Sequence, residues 1–164
     1  GSETTASLLA DLAVQLARHP DEWEKLKADP SRAAKVVEEG LRWASPNQGL
    51  FRIVMEDTEL AGTPIPKGST IWVMYGSADH DDRVFADPEG FDPDRENLNS
   101  HIAFGHGIHF CLGAALARLE AVIALKVLAA RVDTLEVVDP DALRYGSSFI
   151  LRGLERLELD VTYR

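Results

Sequence analysis

A mainly α fold with small β-sheets is predicted by three features of the sequence. Apolar residues recur at helical spacing in several segments, β-branched and aromatic residues cluster in two short stretches flanked by turn signals, and the last residues alternate like a half-buried strand. The 164 residues are enough for one domain with a core and too few for two. Leu8, Leu9, Leu12, Ala13 and Leu16 describe a first helix that His19-Pro20 ends. Asp21-Glu22 begin a short second helix with Trp23 and Leu26, stopped by Asp29-Pro30. A third runs from about Ser31 to Ala44, where Pro46 closes it. Leu50 to Met55 and Thr70 to Tyr75 read as strands around the turns Ala61-Gly62-Thr63-Pro64 and Pro66-Lys67-Gly68. From Asp79 to Asn99 there is no sustained period, only a long Asp-, Pro- and Asn-rich loop of the kind that carries function. Leu112 to Val132 is the strongest helix, with Leu116, Leu119, Ile123 and Val127 along one face. Leu157, Leu159 and Val161 alternate with Glu158, Asp160 and Thr162 in the final strand.

Composition narrows the partners. A net charge of -10 argues against nucleic acid or an anionic membrane surface as the main partner. The most apolar stretch is broken by Arg118, Glu120 and Lys126, so no membrane span is expected. A single cysteine makes no internal disulfide, and without a secretory pattern at the start the expected compartment is the cytoplasm.

That cysteine sits in Phe104-Gly105-His106-Gly107-Ile108-His109-Phe110-Cys111-Leu112-Gly113, a glycine-rich loop leading into the strongest helix. Unpaired N–H groups and the dipole at a helix start stabilise an anion and so favour a thiolate ligand. Glycines at 105, 107 and 113 let the backbone come close to a flat macrocycle. Two other readings of these residues stand beside this one. A lone Cys is often only a small buried hydrophobe. A zinc site from His106, His109, Cys111 and His101 has the right residue types, but it lacks a second ligand pair from a separate segment.

The segment resembles the heme-binding loop of the cytochrome P-450 family, F-G-x-G-x-[HR]-x-C-x-G, and meets every fixed position. The resemblance implies that Cys111 is the axial thiolate of the heme iron, that His109 donates to a heme propionate and that Phe104 packs beside the sulfur. It extends along the chain in the family's order. Glu39 and Arg42, three apart on one helix face, are by themselves an ordinary surface pair. Next to the cysteine loop they resemble the family's E-x-x-R motif, and Phe91-Asp92-Pro93-Asp94-Arg95 resembles the segment supplying its third member, implying a buried cluster of Glu39, Arg42 and Arg95. Gly1-Ser2-Glu3-Thr4-Thr5 resembles the distal-helix motif A-G-x-[DE]-T-T without its leading Ala, which makes Glu3 and Thr4 the acid–alcohol pair that steers protons toward dioxygen. Arg52 opens a segment similar to the strand whose Arg reaches a propionate. Asn47 to Phe51 and Ser147 to Phe149 resemble substrate-contact segments, while Ala78-Asp79-His80-Asp81 departs from the commoner A-N-R-D.

The resemblance implies a fold that is the C-terminal portion of the cytochrome P-450 fold, residues 1–164 being its heme-ligating part with the upstream part absent. It implies heme b (iron protoporphyrin IX) as cofactor and monooxygenase chemistry on a small organic substrate, with a ferredoxin, flavodoxin or fused reductase as electron donor. Arg118 reads either as part of the donor's docking face or as a solvated helix Arg. A different class, a heme-binding fragment or sensor without turnover, has no need of the Glu3–Thr4 pair.

Overall fold

The computed structural model describes residues 2–164; Gly1, which matches the glycine of the distal-helix motif, lies outside them. The helix α1 spans Ser2–Arg18, α2 Pro20–Ala28 and α3 Ala33–Ala44. Proline sets both early boundaries, because Pro20 occupies the first turn of α2 and Pro30 opens a separate 3-10 turn, Pro30–Arg32. That turn takes up the beginning of the third helix expected from Ser31.

Four short strands follow: β1 Leu50–Ile53, β2 Thr58–Leu60, β3 Thr63–Ile65 and β4 Thr70–Val73. β1 pairs antiparallel with β4, placing Arg52 opposite Ile71, and β2 pairs with β3 as a hairpin. Both outer strands stop earlier than the apolar run implies. Tyr75 leaves β4 to open the short helix α4, Tyr75–Ala78, where its side chain is buried. After the long irregular segment, α5 covers Ala114–Arg131 and runs into β5, Val132–Val137. β5 pairs with β6, Leu159–Tyr163, across an irregularity after Val132.

α1, α2, α3 and α5 share one core, in which Leu8, Leu12 and Leu16 of α1 meet Trp23 and Leu26, Val36, Val37 and Leu41, and Leu125. α1 and α3 approach so closely that a Cβ on Gly40 would come within 2.3 Å of Leu12 Cδ2. In α5 the stripe of large apolar residues is not the packed face. Leu116, Leu119, Ile123 and Val127 are exposed, while Ala114, Ala121, Leu125 and Ala129 are buried. The helix is apolar almost all round, so periodicity does not single out a face, and small alanines permit the closer packing. Among the described residues no helix is long and apolar enough to cross a membrane.

Candidate functional site

The loop ahead of α5 turns twice through left-handed backbone, at Gly105 (φ 74°) and Gly107 (φ 69°), conformations costly for a side-chain-bearing residue. A Cβ on Gly105 would also come within 3.2 Å of the Tyr75 hydroxyl. The turns allow Cys111 N–H to donate to Phe104 O at 2.9 Å and Phe110 N–H to Gly107 O at 3.0 Å. α5 begins at Ala114 with Gly113 as its N-cap, so Cys111 lies just ahead of the helix, its carbonyl accepting from Ala114 N–H at 3.3 Å.

Cys111 is exposed and opens onto a cavity of about 240 Å³. Phe104, His109, Cys111 and Ala117 line it from the loop and α5, Thr4, Thr5 and Leu8 from α1, and Leu41, Pro46, Leu50 and Tyr75 from the elements between. The lining fits a heme thiolate: one thiol, mostly apolar walls suited to a flat macrocycle, and a Cβ on Gly113 meeting nothing within 4 Å but Cys111 Sγ at 3.9 Å.

Not every site residue from the sequence joins this cavity. Glu3 is exposed and lines a different hollow, between α1 and residues 146–157, so Thr4 and Glu3 face different spaces. Neighbours on a helix point about 100° apart, which separates them. Arg52 is not among the lining residues; its Nη1 donates to Phe51 O at 2.9 Å. Phe51 and Phe149 do meet, their rings 6.3 Å apart and both against Trp72.

Glu39 and Arg42 are completely buried. Arg42 Nε and Nη2 donate to the two Glu39 carboxylate oxygens, each at 2.8 Å. Its remaining N–H groups reach Asp79 O, Pro88 O and Gly90 O. Glu39 Oε1 also accepts from Arg95 Nε at 3.0 Å and Asp92 N–H at 2.9 Å. Arg95 in turn holds Ala86 O, Asp87 O and Gly90 O. The irregular segment is thus fastened to α3 through its own carbonyls, a satisfied network in place of regular structure. At the departure from A-N-R-D, buried Asp79 accepts from the Ser45 hydroxyl at 2.8 Å and Ile102 N–H at 2.7 Å, while burial pushes its carboxyl pKa up.

Two further clusters carry no motif. Tyr145 OH and Arg152 Nη1 donate to buried Asp11, tying residues 144–154 to α1. Burial raises the Asp11 pKa, and burial with the Asp11 hydrogen bond pushes Tyr145 up to about 12. An Asp between Leu8 and Leu12 on an apolar face is the sequence signal for this cluster. In the second, Glu38 of α3 accepts from Arg118 of α5 and from His101. Burial alone would raise the Glu38 carboxyl, but hydrogen bonds from His101 and Arg118 outweigh it and hold it at about 2. A depressed carboxylate stabilises the fold fully above its unfolded value and loses that contribution as pH falls toward the folded one, here from 4.5 to about 2. Between those limits the urea midpoint is expected to fall less in Glu38→Gln than in the parent; an equal fall would contradict the assignment.

The chain belongs to the cytochrome P450 family, whose model matches residues 1–131. It is 45% identical over 159 residues to cytochrome P450 107B1 of Saccharopolyspora erythraea, covering 96% of this chain and 39% of that protein. To the steroid C26-monooxygenase of Mycobacterium tuberculosis it is 40% identical over 163 residues, covering 99% and 44%. The solved structure of cytochrome P450 CYP109Q5 from Chondromyces apiculatus superposes with a TM-score of 0.94 at 41% identity, over 100% of this chain and 42% of that one. The fold is a portion of the cytochrome P450 fold, and the chain spans about two fifths of the length of these relatives.

Proposed function

We propose that these residues are the C-terminal, heme-ligating part of a cytoplasmic heme-thiolate monooxygenase. This oxidoreductase puts one oxygen atom of O2 into a small organic substrate and releases the other as water, using two electrons from a ferredoxin, flavodoxin or fused reductase. The observation that carries this is the meeting of the Cys111 thiol and the Thr4 side chain in one mostly apolar cavity. When bound, heme b would supply the redox chemistry, and Cys111 Sγ would hold its iron. The Phe104 carbonyl fixes the Cys111 backbone, and Gly105 and Gly107 provide the turns that bring it there. His109, on the cavity wall, and Arg52, on β1, are the groups assigned to hold the propionates. Thr4 holds a hydroxyl proton inside the cavity, and Glu3, at the exposed start of α1, exchanges protons with solvent. Phe51 and Phe149 form the aromatic wall assigned to the substrate. A family relative named as a steroid monooxygenase supports the reaction class.

The full-length protein, loaded with heme and supplied with a ferredoxin and its reductase, is tested with isotopically labelled O2 against a panel of small hydrophobic compounds. Products carrying a single labelled oxygen are expected. Heme-loaded protein that accepts electrons yet labels no product would favour heme binding without turnover. Thr4→Ala is expected to divert most electrons into peroxide or water while heme binding survives; unchanged coupling of electrons to product would remove Thr4 from proton delivery.

A further inference from the structure

The ring of Phe104 touches the cavity that Cys111 lines, and its carbonyl holds the Cys111 N–H, so whatever fixes Phe104 also fixes the ligand loop. The Arg118 guanidinium carbon lies 4.6 Å from the centroid of that ring. Its Nε and Nη2 grip the Glu38 carboxylate in a two-pronged fork at 2.6 and 2.9 Å. Glu38 Oε2 is shared with His101 Nε2 at 2.9 Å, and His101 Nδ1 accepts from Ala103 N–H at 3.3 Å. Since Nδ1 is an acceptor, the ring proton sits on Nε2 and points at Glu38. One carboxylate on α3 thus gathers a cation from α5 and an imidazole from the loop, and Phe104 neighbours both, its ring 6.4 Å from that of His101.

We propose that Glu38, His101 and Arg118 are positioning residues for the Cys111 ligand, acting through Phe104 to hold the loop in its heme-binding geometry. The inference rests on the heme-thiolate reading and adds to it the residues that set the ligand. It also assigns Arg118, one of whose two expected roles was docking an electron donor, an inward-facing task. A guanidinium is required at this place because its planar fork engages both carboxylate oxygens while its face lies on an aromatic ring. An ammonium keeps the charge but cannot do both.

The test uses the heme-loaded full-length protein and its Arg118→Lys, Arg118→Gln and Glu38→Gln variants. The readout is the ratio of thiolate-type to non-thiolate Soret absorbance in the reduced, CO-treated state, alongside the urea midpoint of each variant. Positioning predicts that the non-thiolate share rises roughly tenfold in all three variants, the size of a typical coupling inside one ion network. Arg118→Lys should behave like Arg118→Gln, and the ratio should change even in a variant whose midpoint stays at the parental value. Two results would overturn the inference: Arg118→Lys matching the parent, which would make charge alone sufficient, or ratios unchanged in all three. Should a variant fail to fold, the other two decide it. A parent that itself shows no thiolate-type band fails the heme-thiolate reading instead, which keeps the two failures apart.

Discussion

Arg42→Ala is expected to leave little soluble, heme-competent protein. Arg42 has five N–H donors, and all five are used: two on Glu39 and one each on the carbonyls of Asp79, Pro88 and Gly90. Truncation strands a carboxylate that has no access to water, at a cost of about 3–5 kcal/mol, takes the Arg42 donor from the carbonyls of Asp79 and Pro88, and leaves that of Gly90 to Arg95. Typical domains hold only about 5–15 kcal/mol in reserve. The surviving bonds from Arg95 and Asp92 to Glu39 soften the loss without removing it. Arg42→Lys should fail nearly as badly, because three ammonium donors cannot meet five acceptors spread over a planar fork. Arg95→Ala should fall between, since Arg95 shares the load on Glu39 and Gly90. Urea midpoints and heme incorporation in the full-length protein measure this. Near-parental values in all three variants would show that the network does not hold the loop to α3.

Much of this molecule can be read from its sequence because several local rules agree. Prolines at 20 and 30 mark the early helix boundaries, and Gly105 and Gly107, ahead of Cys111, stand where the backbone turns left-handed. The buried face of α5 is not legible for a physical reason: a helix apolar almost all round gives little periodic contrast, and the buried stripe is built mainly from alanines, weak markers of a core. Glu38, His101 and Arg118 fit no spacing rule, because their partners lie 63 and 80 residues apart and only packing brings them together. Glu3 and Thr4, adjacent in sequence, part company for the opposite reason, since helical geometry turns neighbours onto different faces.

The second large effect concerns Cys111, on which the whole functional reading depends. Cys111 is the only cysteine of the chain, and its side chain opens onto the cavity rather than into the core, so its replacement removes the proposed ligand without excavating the core. Cys111→Ala should therefore fold, with a urea midpoint close to the parent's in the heme-free state. Its heme, if retained, would lie against Phe104, His109 and the apolar wall with no sulfur on the iron. The most direct measurement is the Soret band of the reduced, CO-treated full-length protein beside that of Cys111→Ala. The parent should show the red-shifted band of a thiolate-ligated heme, and the variant should lose it completely. A parent without that band, or a Cys111→Ala protein that keeps it, would contradict the assignment of Cys111 as the heme ligand.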